Sequence, residues 1–173
     1  MIVIADTSPI NYLICIGDID VLPRLYGVVI IPRAVRDELS RDRAPEIVRR
    51  WIAGPPAWLE VRMPTMKPDA ALIAAELDAG EFDAILLAEE LGASELILDD
   101  MDGRKEAERR HIHSVGTLGV LQAAARRGLL NLKDAPTSLR TTNFYVAQEL
   151  IDRLIAEAER YEGPLAGVGA AFT

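Results

Sequence analysis

Ile2-Val3-Ile4-Ala5-Asp6-Thr7-Ser8 is a short apolar run that stops at a carboxylate near the start of the chain. Four apolar residues bounded by a turn signal read as a strand buried on both faces, the kind found in the middle of a parallel sheet. Asp6 then stands at that strand's carboxyl end, outside which open α/β sheets bind their ligands. Capping of the next helix by Asp6 and Ser8 is the plainer reading of one such acid. The position gains weight because Glu95-Leu96-Ile97-Leu98 is another strand-like run, and it too ends in acids, Asp99-Asp100.

Between and around these two runs, strands alternate with helices. Ser8 as N-cap and Pro9 in the first helical position open a helix that Gly17 closes, and a second helical piece covers Ile19 to Tyr26. Val28 to Ile31 is a strand of the buried type. Helices follow from Pro32 to Leu39 and from Pro45 to Ala53, and Trp58 to Arg62 reads as a short edge strand. Ala70 to Leu77 is helical, Asp78-Ala79-Gly80 is a break, and Glu81 to Leu91 is a helix closed by Gly92. A charged helix from Asp102 to Arg110, a strand at Ile112 to Val115 and a helix from Leu118 to Arg127 complete the pattern. Continuous rather than alternating apolar strands predict an α/β fold with a mainly parallel sheet covered on both faces. Asn143 to Tyr161 has an apolar stripe at helical spacing, which packs on its own domain or offers a face to a partner. The expectation is one domain over residues 1–162 and a flexible tail over 163–173.

The chain's 173 residues suffice for one good core, and half of them are hydrophobic, which excludes general disorder. No apolar run reaches the ~20 residues of a membrane helix, and no signal-type segment is visible, so a cytoplasmic location is expected. Cys15 is the only cysteine, which rules out an internal disulfide and a cysteine zinc site and suggests a core position. A formal charge of −8 argues against nucleic acid, since phosphates call for lysine and arginine. Yet seven of the 27 acids are the candidates Asp6, Glu38, Glu81, Asp83, Asp99, Asp100 and Asp102; without them 20 acids face 19 bases. The excess charge is then largely the site itself.

Glu38 lies three residues after Val35 on its helix, beside the apolar stripe rather than opposite it. Glu81 and Asp83 sit in a first turn, where the helix dipole favours acids. At about 100° per residue they point about 200° apart, so one site takes one of them; Asp83 is favoured and Glu81 is its substitute. Three or four carboxylates in one crevice repel each other unless a cation neutralises them. Hard oxygen ligands select Mg²⁺ or Mn²⁺, which serves phosphodiester hydrolysis. A glycosidase pair needs a sugar cleft, and a chain with 5% aromatics offers little for sugars to stack on.

Asp6-Thr7-Ser8 after a strand, Pro32-x-x-Val35-x-x-Glu38-Leu39, Gly80-Glu81-x-Asp83-Ala84-Ile85-x-Leu87-Ala88 and Leu96-Ile97-Leu98-Asp99-Asp100 with Gly103-Arg104 together resemble the PIN-domain nucleases. They are most similar to a PIN-like branch of prokaryotic proteins that are often the toxin halves of toxin–antitoxin pairs. Val115-Gly116-Thr117-Leu118-Gly119-Val120-Leu121, Arg127-Gly128-Leu129-Leu130 and Asn143-Phe144-Tyr145 also resemble that branch. The resemblance implies a three-layer α/β/α sandwich and Mg²⁺-dependent endoribonuclease activity on RNA. It also implies a cognate antitoxin and a homodimer. Its metal ligands would be Asp6, Glu38, one of Glu81 and Asp83, and one of Asp99 and Asp100, with Thr7 or Ser8 in support. The adjacent pair Asp99-Asp100, with Asp102 two residues on, departs from a toxin pattern of threonine or serine followed two residues later by an acid. A catalytically silent scaffold that binds RNA or protein is therefore the second reading.

Other motifs argue less. A haloacid-type phosphatase needs a second aspartate where Ser8 stands, and no phosphate-cradling loop or dinucleotide fingerprint is present. His111 and His113 share a face of the expected short strand and lack a third ligand. Arg33, Arg36, Arg41, Arg43, Arg49 and Arg50, and Arg104, Lys105, Arg109 and Arg110, line either an RNA path or solvated helix faces with local ion pairs.

Overall fold

A computed structural model describes residues 1–130. The stripe from Asn143 to Tyr161 and the tail from Gly163 lie outside the described residues. The chain runs β1 (Val3–Ala5), α1 (Thr7–Ile16), α2 (Val21–Tyr26), β2 (Val29–Pro32), α3 (Arg33–Leu39), α4 (Glu46–Ala53) and β3 (Leu59–Arg62). It continues with α5 (Ala70–Ala74), α6 (Ala79–Leu91), β4 (Glu95–Ile97), α7 (Met101–Arg109), β5 (Ser114–Val115) and α8 (Thr117–Arg126). The five strands are all parallel, in the order β3-β2-β1-β4-β5.

This order follows from the burial of β1. Val3, Ile4 and Ala5 are fully buried, so β1 must lie inside the sheet with a layer on each face. Val3, Ala5, Val29, Ile31 and Ile97 pack into a core with residues of α1, α2, α3, α4 and α8. Ile4, Ile30, Leu96 and Leu98 point the other way, into a core with α5, α6 and α7. Alternate strand residues thus feed two cores, and the result is a three-layer α/β/α sandwich. Helix α6 touches β1, β2, β4, α3 and α7, which explains why Ala84 through Ala88 are all buried and the helix lacks a polar face.

The chain moves outward from β1 to β2 and β3, then returns past β1 to β4. That reversal opens a crevice at the carboxyl ends of β1 and β4. Val3 pairs with Glu95, Ile4 with Leu96 and Ala5 with Ile97, and the Asp6 N–H extends the ladder by donating to the Ile97 carbonyl at 2.9 Å. Behind the crevice, Arg110 is almost fully buried and donates to Asp69 at 2.7 Å, Glu89 at 2.6 Å and the buried Glu106 at 2.8 Å. This clamp joins the α5, α6 and α7 segments. A buried charge held by three partners has its desolvation offset by hydrogen bonds.

Several boundaries differ from expectation. Helix α1 begins at Thr7 with Asp6 at the N-cap position, so Pro9 falls in its first turn, where a missing N–H costs nothing. Helix α5 stops at Ala74, and the segment Asp78-Ala79-Gly80 is no break: Asp78 caps α6, whose first two residues are Ala79 and Gly80. The last strand shortens to Ser114–Val115, because His111 takes a left-handed turn (φ 58°) that ends α7, and Ile112 donates back to the Ala107 carbonyl at 2.9 Å. His111 and His113 therefore do not share a strand face. Cys15 is half-buried at a cleft rather than in the core.

Candidate metal site at the sheet switch point

Asp6 is 3% exposed, and its Oδ1 is buried with no hydrogen-bond partner among the described residues. Burial pushes its carboxyl up to about 8; the Thr7 N–H pulls the other way, and the negative charges of Asp78, Glu81 and Glu38 add to the rise. On the neighbouring residue, the Thr7 hydroxyl donates to Glu38 Oε2 at 2.5 Å. The side chain of Ser8, the other expected support, forms no hydrogen bond among the described residues.

Helix α6 closes this group from the other layer. A Cβ placed on Gly80 would lie 2.9 Å from Glu38 Oε2, 3.0 Å from Asp6 Oδ1 and 3.0 Å from Thr7 Oγ1. Three oxygens therefore converge on one point, and only glycine leaves that point open. Asp78 Oδ1 accepts from the Glu81 N–H at 2.9 Å and Glu81 Oε2 accepts from the Asp78 N–H at 3.4 Å, a capping box that brings both acids to the crevice. Glu81 is 9% exposed, and burial, then the charges of Asp78, Asp100 and Glu38, push it up to about 7. Asp83 is half-buried and raised by burial and by Glu38, but it is not among the acids that raise Asp6. Of the two alternatives, Glu81 is the one electrostatically joined to Asp6.

The pair Asp99-Asp100 divides between two helices. Asp99 Oδ1 accepts from the Thr117 N–H at 2.7 Å and its Oδ2 from the Thr117 hydroxyl at 2.6 Å, so both oxygens serve the start of α8. Burial raises the Asp99 carboxyl, and these bonds work against the rise. Asp100 is exposed, and its Oδ1 accepts from the Asp102 N–H at 2.8 Å and the Gly103 N–H at 3.0 Å, capping α7. Its charge still reaches Glu81. Asp102 is exposed and bound to Lys105 at 2.7 Å, away from the group.

These observations bear on whether a divalent cation suits the site. The donors are hard oxygens, the Asp6 oxygen lacks a partner, and Gly80 leaves a cradle between three oxygens, all of which fits Mg²⁺ or Mn²⁺. Among the described residues, no group of three or more His, Cys, Asp or Glu side chains stands at metal-holding geometry. Asp6, Glu38 and the neutral Thr7 hydroxyl form the nearest approach to one.

Two residues of this group escaped the sequence reading. Gly80 looked like a helix breaker, and only the packing of α6 over Asp6 shows why a side chain is excluded there. Asp78 was legible in principle: Asp78-x-x-Glu81 before an apolar run has the spacing of a capping box. The basic residues divide as follows. Arg33, Arg49, Arg50, Lys105, Arg109 and Arg110 are ion-paired, whereas the guanidinium groups of Arg36, Arg41 and Arg43 form no hydrogen bond or ion pair among the described residues.

A parallel α/β sandwich with carboxylates gathered at its switch point defines the class. Residues 2–160 match the family model DUF3368, described as a PIN domain. The chain belongs to the PIN-domain family, whose fold is nuclease-like. A search of curated proteins finds no match.

Two predictions follow from this geometry. Asp6 binds its proton more tightly folded than unfolded, so between pH 4 and pH 8 its ionisation weakens the fold. Asp6→Asn is expected to exceed the metal-free parent in stability by about 2–4 kcal/mol at pH 7. In urea unfolding, that advantage shrinks as the pH falls and vanishes below pH 4. Gly80→Ala is expected to keep its thermal midpoint within a few degrees, since alanine favours the helix and the flexible Glu38 side chain can retreat. Calorimetry should show its Mn²⁺ affinity reduced by about tenfold or more, because the displaced carboxylate no longer converges with Asp6.

Proposed function

We propose that this protein is a Mg²⁺- or Mn²⁺-dependent endoribonuclease that hydrolyses RNA phosphodiesters. We further propose that it works in the cytoplasm as the homodimeric toxin half of a toxin–antitoxin pair. The single observation that carries the nuclease reading is the buried, unpartnered Asp6 Oδ1 facing Glu38 and Thr7 at the mouth of the β1–β4 crevice. The toxin, antitoxin and dimer parts rest on the resemblance of the motifs.

Asp6 and Glu38 would hold the ion, with Glu81 as the third acid and Asp100, which keeps one oxygen outside its cap, as the fourth. A bound divalent ion supplies an activated water and offsets the charge that builds on the phosphate. The chain's own groups do the rest. Burial keeps bulk water from Asp6, and the Thr7 hydroxyl fixes the Glu38 carboxylate. Asp99 positions α8 through Thr117 rather than facing the ion. The side chains of Arg36, Arg41 and Arg43, without ion-pair or hydrogen-bond partners among the described residues, are available to a phosphate backbone.

A silent scaffold has one observation in its favour, the commitment of both Asp99 and Asp100 to helix caps. RNA cleavage by purified protein in Mg²⁺ or Mn²⁺ separates the two readings. Cleavage should vanish in EDTA and drop by at least about 100-fold in Asp6→Asn, a larger loss than removal of a residue that only orients a ligand. Equal inertness of parent and variant across RNAs and metals would favour the scaffold.

A further inference from the structure

A cleft of about 610 Å³ opens beside the acid group and shares Thr7 and Glu38 with it. One wall is α1. Thr7 and Asn11 stand one turn apart on the same helix face, so the cleft extends from the acids by roughly 5 Å per turn of α1. The opposite wall is the end of α3, the segment holding Arg43 and the first turn of α4 with Ile47.

The lining is chemically mixed in a particular way. Ile47 is a large apolar side chain left 55% exposed, and the ring of Tyr12 adds a second apolar surface. Asn11 and Arg43 also line the cleft, and neither side chain forms a hydrogen bond or ion pair among the described residues. Apolar surfaces suit the faces of a nucleobase, an amide that both donates and accepts suits its edge, and a guanidinium suits a phosphate. The volume falls within the roughly 300–1,000 Å³ of small-ligand sites, enough for one nucleotide. Bases stacked in a duplex present no free face, so the chemistry selects a single strand.

We propose that this cleft seats one unpaired nucleotide of single-stranded RNA next to the bond that is cut, with Arg43 on its phosphate and Asn11 on its base edge. Asn11 then sets the base preference. This rests on the endoribonuclease reading above. It adds to that reading a residue that selects the base beside the cut and one that holds its phosphate.

The test uses short fluorescein-labelled single-stranded RNAs that differ at one base, and a duplex of the same sequence, with the full-length protein in Mn²⁺. Parent, Asn11→Ala, Arg43→Ala and Arg43→Lys are compared, and thermal melts check that each is folded. The parent should prefer one base by about tenfold or more, and Asn11→Ala should reduce that preference to within about threefold. Arg43→Ala should raise KM about tenfold with little change in kcat, and Arg43→Lys should recover part of it. If the parent cleaves RNA but the variants keep its base preference and KM, or if the duplex is cut equally well, the nucleotide seat is wrong and the nuclease reading stands. If the parent neither cleaves nor binds any of these RNAs, the nuclease reading itself fails and takes the seat with it.

Discussion

A carboxylate taken out of water beside other carboxylates is costly unless a positive charge meets it. Asp6 is held in that situation by the backbone: its N–H continues the β1–β4 ladder, so the side chain emerges where the sheet reverses its winding direction. The rest of the fold keeps it there. Val3, Ile4 and Ala5 anchor β1 in two cores, and α6 covers the position from the opposite layer.

The close approach of α6 depends on Gly80. A helix that packs flat against the sheet brings its first turn over the end of β1, and at that point the space belongs to the oxygens of Asp6, Glu38 and Thr7. The capping box of Asp78 and Glu81 then adds two acids at the helix start, favoured there by the dipole. One local arrangement thus starts the helix and crowds the acids around Asp6.

Much of this was legible in the sequence. Buried strands read as continuous apolar runs, and the acids after β1 and β4 stood out because they recur at strand carboxyl ends, outside which open α/β sheets bind their ligands. The helix spacing also placed Glu38 beside its apolar stripe, where it now meets Thr7. Other features depended on three-dimensional packing. Periodicity separated Glu81 from Asp83 in direction, and the sequence favoured Asp83; in the structure it is Glu81 whose charge adds to the rise at Asp6, through the cover of α6 over β1. Nor does the doublet Asp99-Asp100 show that its members cap different helices, α8 and α7, since Thr117 is distant in sequence. The cleft that Asn11 and Arg43 line is likewise formed by segments far apart in the chain.

Divalent-cation binding at the Asp6 group is a proposal open to a direct measurement. Calorimetric titration of Mn²⁺ at pH 7, in buffers that differ in ionisation enthalpy, tests it most directly. With burial pushing Asp6 up to about 8 and Glu81 up to about 7, binding should release roughly one to two protons per ion, and Asp6→Asn should lose the affinity and with it the release. Absence of binding, or equal binding by Asp6→Asn without proton release, would contradict the account.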